Sequence, residues 1–440
     1  MKGPTPWYRN YVLGVLTLAY LLNSLDRSIM GVLLEPIGRE FGASDSQLGL
    51  LSGLAFAACY STLAIPVAAW ADRTSRRNVL ACAILLWSVM TALCGLAGSF
   101  AFLLLARMGT GAGEAGGNPP SHSLIADYFT PERRATAFAI FALGAPAGAM
   151  LAGLLGGHGN ELLGWRTTMI LAGLPGLLLA PLIFMTVAEP GQKLTAAARA
   201  AQALPLKAVA LHLWQRRSFR HLCIACSLHS VALYSAASFN TAYLMRSHGW
   251  GTADAGKLVA LVGAAGLLGT FLGGFLSDRL ATRSRDARWH LWVPGVATLV
   301  LIPFQFVVYL SPGDLWVILV FPLCGLLGLM FFCPSFAMVQ ALAAPRMRAV
   351  AASVLLFAKA MVGMGLGPLL VGVTSDLLAP MTGQHSLRYA LLLAPVFNLW
   401  SAVHFYWASR SLRHDLAITP QTPPEVPSDQ IVATPLAASR

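Results

Sequence analysis

Twelve apolar runs long enough to cross a bilayer, at about 11–34, 46–70, 78–98, 101–125, 135–157, 166–187, 219–246, 254–277, 290–310, 314–340, 348–373 and 386–409, leave this chain few architectures. In hydrocarbon every backbone amide must find its partner within its own segment or a closed barrel, so runs of this length become helices. A mean hydropathy of +0.65 with only 11% charged residues over 440 residues fits no water-soluble globule of this size. The expected fold class is an all-α polytopic membrane protein with twelve transmembrane helices.

The net charge of +12 would suit nucleic acid if the bases were clustered. Instead, the termini and the loops after even-numbered helices hold 22 of the 30 Lys and Arg; the opposite loops hold five, Arg39, Arg166, Arg246, Lys257 and Arg388. That asymmetry orients helices in a membrane, excludes nucleic acid as a partner and predicts cytoplasmic termini in a multi-pass protein of the cell inner membrane. The apolar stretch that begins at Tyr11 leads into Asp26-Arg27 rather than into a small-residue cleavage site, so the first helix is expected to be retained. Seven cysteines lie in apolar segments; Cys223-x-x-Cys226 has no second pair and reads as helix packing, so no metal or other cofactor is expected. No Ser/His/Asp constellation or phosphate-binding loop points to an enzyme.

The three remaining bases, Arg27, Arg107 and Lys359, fall inside helices. Arg107 and Glu114 share one helix with Gly109, Gly113 and Gly117 at i, i+4 spacing, followed by Pro119-Pro120. Two turns separate the charges, so both project from one side, about 10 Å apart along the axis. The glycines allow a neighbouring helix to approach, and the prolines interrupt the helix. A charge at this depth marks a functional site or a structural ion pair.

The halves resemble each other. Ala71-Asp72-Arg73-Thr74-Ser75-Arg76-Arg77 matches Ser277-Asp278-Arg279-Leu280-Ala281-Thr282-Arg283, Pro120-Ser121 matches Pro334-Ser335, and Pro131 to Ala137 matches Pro345 to Ala351. The expected organisation is a six-helix bundle over 1–187, a cytoplasmic linker over 188–218 with an amphipathic helix between Leu194 and Trp214, a second six-helix bundle over 219–410, and a disordered tail over 411–440. Such repeats place a substrate cavity between the halves near mid-membrane, open alternately to either side.

At these residues the chain resembles the major facilitator superfamily, whose signature G-x-x-x-D-R-x-x-R-R corresponds to Ala68 through Arg77, with Ala68 in the glycine position. The resemblance implies a cytoplasmic gate that clasps helix ends in the outward-facing state. Its members here are Asp72, Arg73, Arg76, Arg77, Asp127, Glu132, Arg133 and Glu189, echoed by Asp278, Arg279 and Arg283. A solvated charge cluster without a gating role is the alternative.

Asn23-Ser24-Leu25-Asp26-Arg27, Asp45 through Gly53, and Gly113-Glu114-Ala115-Gly116-Gly117 through Asp127-Tyr128-Phe129 further resemble bacterial members of the spinster-like family. These motifs cover about the first 140 residues. They imply proton-linked transport of lysophospholipid or sphingolipid-like amphiphiles by a monomer, with Asp26, Arg107 and Glu114 functional. Organic anions or drugs carried on the same fold are the alternative substrates.

Counted by helical rise, Asp26 lies about 12 Å and Arg107 about 9 Å below the outer end, level with each other, while Glu114 lies about 20 Å down. Desolvation and a nearby Arg107 act in opposite senses on the proton affinity of Asp26, so losing that pair during rocking would change the affinity in step with conformation. Asp26 is therefore the expected proton-coupling carboxylate, with Glu114 second. Arg107 is expected to alternate between Asp26 and either Glu114 or an anionic headgroup, and Glu114 to bridge to Lys359 across the halves. Asp26-Arg27 and Lys359 have a second reading as side chains reaching the headgroups. His122 either extends a proton path or bonds a carbonyl, and Asn240 lies on a polar side of helix seven suited to a cavity or to interhelical bonding.

Overall fold

The computed structural model describes residues 5–189, 206–344 and 347–418, without the side chains of 72, 131, 132, 135, 206–208 and 349. Among these residues the chain makes twelve passes. Helices one and three are single rods, Pro6–Phe41 and Arg76–Gly95. Helix two runs Asp45–Gly49, a π-helical turn Leu50–Leu54, then Ala55–Arg73. Helix four is Phe100–Glu114 and Asn118–Tyr128. Helices five and six comprise Pro131–Ala142 and Gly144–Thr186, which doubles back at Gly164, φ 78°, bringing Gly159 against Thr168. Helices seven, eight and nine are Arg217–His248, Thr252–Ser284 and Trp289–Leu310. Helix ten is Asp314–Leu329 and Phe332–Ala341. Helix eleven is Arg348–Ala358, a π-helical stretch Lys359–Leu366 and Gly367–Thr382. Helix twelve is Ser386–Ala390 and Leu393–Ala417.

The rods outrun the apolar stretches because polar ends continue into water and are capped there. Ser44 and Gln47 form a capping box at helix two, Ser75 and Ser99 cap helices three and four, and Gly42 closes helix one in the left-handed region. Helix twelve continues to Ala417, past the expected end at 409, because the Ser218 N–H donates to Asp415 Oδ2 at 2.8 Å. Of the expected linker helix, Leu206–Gln215 is helical. Residues 190–205 and the tail from 419 lie outside the described residues.

The interruptions repeat with the sequence duplication. Helices four and ten both break just before Pro120-Ser121 and Pro334-Ser335. Large side chains such as Leu162, Leu178, Met185 and Phe271 are exposed on the outer wall, the normal state of a surface whose solvent is lipid.

Glycine sets the contact between the halves. A Cβ at Gly31 would meet the Ala237 carbonyl at 2.6 Å, at Gly153 the Gly256 carbonyl at 2.6 Å, and at Gly372 it would collide with the Asp45 carbonyl. All three lie between mid-depth and the side opposite the termini, hereafter the far face. Gly372→Val is expected to force helices two and eleven apart and to destabilise the fold by about 1–3 kcal/mol. Gly14→Val, whose Cβ has no neighbour within 4 Å, should do neither. Spin-label distances between the far ends of these helices test this; an unchanged distance in Gly372→Val rules it out.

Candidate functional site

Helix four is packed through its glycines. A Cβ at Gly113 would lie 2.6 Å from Trp87 N, and one at Gly109 2.6 Å from Met90 Sδ, so helix three closes on this face as the spacing predicts. The approach brings Thr91 of helix three to Asp26 of helix one, whose Oδ2 accepts the threonine hydroxyl. Arg107 Nη1 stands 3.7 Å from Asp26 Oδ1, an ion pair too long for a hydrogen bond. Its Nη2 donates to the Arg27 carbonyl at 3.4 Å. The level pair read from the sequence is present, and Asp26 is buried rather than reaching the headgroups.

Glu114 is not the partner of Arg107. Its Oε2 accepts Arg27 Nη2 at 2.6 Å and Nε at 3.1 Å, and Arg27 also donates to Asn23 Oδ1 at 3.4 Å. Helix side chains lean toward their own N-terminus, so Arg27 on helix one and Glu114 on the antiparallel helix four lean toward each other. Counting rise alone misses that lean. Both guanidiniums lie over Phe56, at 5.1 Å for Arg27 and 4.6 Å for Arg107, and Arg27 lies 4.8 Å from the Tyr60 centroid. Neither Phe56 nor Tyr60 carries a sequence signal distinguishing it from lipid-facing aromatics.

The cluster holds two acids and two bases, and is incompletely bonded. Asp26 Oδ1, Arg107 Nε and Nη1, and Glu114 Oε1 are buried without hydrogen-bond partners. Only Arg27 has notable access, with 25% of its side chain exposed against 1% for Arg107. The more accessible guanidinium of the cluster is therefore Arg27.

Lys359 does not bridge to Glu114. It opens the π-helical stretch of helix eleven and lies 5.0, 4.7 and 5.7 Å from the rings of Phe331, Phe332 and Phe336, buried rather than reaching the headgroups. The π-helical turns of helices two and eleven meet across the halves, where a Cβ at Gly53 would be 2.8 Å from the Gly365 carbonyl. His122 lies edge-on to Phe138 and Phe141, and Asn240 Oδ1 accepts Tyr309 Oη at 3.2 Å.

The far face carries a clasp whose members the sequence reading does not join: Arg246 counts as a loop base and Asp45 as the start of a motif. Arg246 of helix seven donates to Glu35 Oε2 at 2.6 Å and to both oxygens of Asp45 at 2.9 and 2.8 Å. Asp376 of helix eleven accepts the Asp45 and Ser46 N–H groups, both at 2.9 Å, capping helix two from the opposite half. Glu161 similarly accepts the Ala253 N–H at 2.8 Å.

On the terminal side, Arg76 donates to Asp127 Oδ2 at 2.6 Å, Glu189 Oε1 at 2.8 Å and Ser123 at 2.8 Å, while the Arg77 N–H donates to Glu189 at 2.9 Å. Arg73 and Arg133 are exposed, and the side chains of Asp72 and Glu132 lie outside the described residues. The echo differs in the second half: Asp278 meets His290 at 2.9 Å, Arg279 lies over Phe275, and Arg283 is exposed. Asp286 takes the clasping role, bound by Arg288 at 2.8 Å and Arg413 at 2.9 Å. Chiefly the Arg288 bond holds its carboxyl below the usual aspartate range, so its stabilising share is present at neutral pH and is lost as pH falls through that depressed value.

A family model described as "Major Facilitator Superfamily" matches residues 16–368. An "MFS-type efflux pump" of Mycolicibacterium smegmatis is 35% identical over 92% of this chain and 93% of its own length. The sphingosine-1-phosphate transporter SPNS2 of Danio rerio is 32% identical over 40% of this chain and 36% of its own length. The crystal structure of a bacterial homologue of the human lysosomal transporter spinster, in an inward-facing and unoccupied conformation, superposes with a TM-score of 0.84 at 30% identity, covering 96% of this chain and all of that one.

Two outcomes follow from this geometry. Arg27→Gln leaves Glu114 buried without its counter-charge and is expected to destabilise the protein by about 3–5 kcal/mol. Arg27→Gln/Glu114→Gln should recover most of the loss in a thermal melt, and a single variant as stable as the parent would contradict the pairing. Arg246→Gln should populate a form open at the far face, seen as faster labelling of a cysteine placed at Ser238; unchanged labelling would remove the clasp from the closure.

Proposed function

Since the chain belongs to the major facilitator superfamily and is a multi-pass transporter with a spinster-like structure, we propose that it moves lysophospholipid or sphingolipid-like amphiphiles coupled to protons, by alternating access between its halves. Residues 1–187 and 219–410 act as the rocking bodies, joined by 188–218, in a monomer of the cell inner membrane with both termini cytoplasmic. The form described here, clasped at the far face, is then the inward-facing one.

The observation carrying this reading is the loose, charge-balanced cluster. Asp26 accepts one full hydrogen bond and holds Arg107 only at 3.7 Å, so gaining a proton sacrifices little bonding. The proton leaves the four groups with one excess positive charge, which favours an anion at the accessible guanidinium, Arg27. A phosphate there replaces Glu114, and the released carboxylate is the second proton site. Lys359, caged by Phe331, Phe332 and Phe336, is a second buried cation with no ion pair among the described residues. Asp72, Arg76, Asp127 and Glu132 serve as the cytoplasmic gate. His122, ringed by phenylalanines, is assigned no proton transfer.

A second reading, proton-coupled export of organic anions or drugs, draws support from the M. smegmatis relative, whose printed name is an efflux pump and which matches over nearly the whole chain. The same cluster serves either cargo.

Proteoliposome transport of a labelled lysophospholipid under an imposed pH gradient distinguishes these readings. The unsubstituted protein is expected to follow the gradient, and Asp26→Asn to bind lipid yet lose that dependence, with gradient-driven flux falling by at least about tenfold. Persisting gradient dependence in Asp26→Asn moves the proton site to Glu114. Gradient-driven flux of an organic anion without any lipid flux replaces the lipid reading with the second.

A further inference from the structure

A second polar site lies far from the charge cluster, on the terminal side, where helix seven begins and helix twelve ends. An open groove of about 540 Å³ there is lined by Arg217, His221, Trp407, Arg410 and Ser411. His221 Nδ1 lies 3.0 Å from His404 Nδ1, so one imidazole donates to the other, and both rings pack on Trp407 at 5.5 and 5.0 Å. This fixes His221 and the indole as one wall. Ser411 Oγ is 2.9 Å from Ser218 Oγ, which ties the two helices together at the floor.

The charge of the groove is not neutralised from within. Ion pairs on this side engage Arg76, Arg288 and Arg413, and among the described residues none involves Arg217 or Arg410, both exposed. The neighbouring carboxylate, Asp415, accepts the Ser218 N–H at Oδ2 and lies 3.4 Å from His414 at Oδ1, and its single charge is outnumbered by the two guanidiniums of the groove. Two guanidiniums without an ion-pair partner among the described residues line one groove with an imidazole and a hydroxyl, which makes a receptor for a phosphate oxyanion.

The surroundings select a phosphate attached to a lipid. Trp400, Val403 and Trp407 follow one another at i, i+3, i+7 on helix twelve and are all exposed, forming an apolar track from the groove into the lipid-facing wall. Exposed tryptophan at such a place marks the headgroup level of a bilayer. Basic pockets between helix ends at that level bind anionic headgroups. We propose that this groove holds the phosphate of an anionic phospholipid of the surrounding bilayer, a bound lipid separate from the transported cargo.

Native mass spectrometry of the full chain released from nanodiscs containing equal phosphatidylglycerol and phosphatidylcholine tests the assignment. The unsubstituted protein should retain phosphatidylglycerol selectively, and Arg217→Gln/Arg410→Gln should lower that retention about tenfold or more, at about 1 kcal/mol per arginine. Arg285→Gln, an exposed arginine on the same side, should leave retention unchanged. Should the double variant fail to fold, the two single variants are each expected to reduce retention severalfold. Retention unaffected by these substitutions, or reduced equally by Arg285→Gln, overturns the proposal. Displacement of the lipid by millimolar inorganic phosphate, with matching stabilisation by phosphate alone, assigns the groove to a free anion and overturns the lipid.

Discussion

Two acids and two bases buried among helices one, two and four are the constraint on which the rest of this molecule depends. A single charge near mid-membrane costs several kcal/mol, so the four are tolerable only together and only if the helices carrying them are held in register. The glycines of helix four hold helix three close, helix three supplies Thr91 to Asp26, and helix two places Phe56 under both guanidiniums. Phe56 is fully buried, and its ring face partly compensates two cations that would otherwise repel each other. Small residues in the sequence thus become close packing, and close packing becomes a polar cluster with unfilled bonding capacity.

The two ends of the molecule are held differently. At the far face the acids of helices one and two share Arg246 of helix seven, and helix eleven caps helix two, so contacts cross from one half to the other. On the terminal side, Arg76 with Asp127 and Glu189, and Asp286 with Arg288 and Arg413, each tie helices of a single half together. Bonds within a half stiffen it as a body, whereas bonds between halves must break for the far face to open. Among the described residues the molecule is therefore stiff within its halves and fastened between them at the far face.

Much of this was legible in the sequence. Length and hydropathy set the twelve passes, the repeated Pro-Ser motif anticipated the matching breaks of helices four and ten, and the Asp26 to Arg107 level followed from helical rise. Three features were not. The Arg27 to Glu114 bond depends on the lean of side chains on antiparallel helices. The Lys359 cage is built from Phe331, Phe332 and Phe336, a run that reads like any lipid-facing stretch. The Arg246 clasp joins residues more than two hundred positions apart, and nothing in Glu35, Asp45 or Arg246 taken singly marks them as partners. Periodicity and spacing describe one helix at a time; these features belong to pairs.

The far-face connections are very short: 42–44, 96–99, a single glycine at 164, 249–251, 311–313 and 383–385. The polypeptide on that side is therefore almost wholly helical, giving a protease almost no extended segment to grip. What a reagent meets in that compartment is helix ends and their caps, so a cut or a graft there has to be made in a helix rather than in a loop.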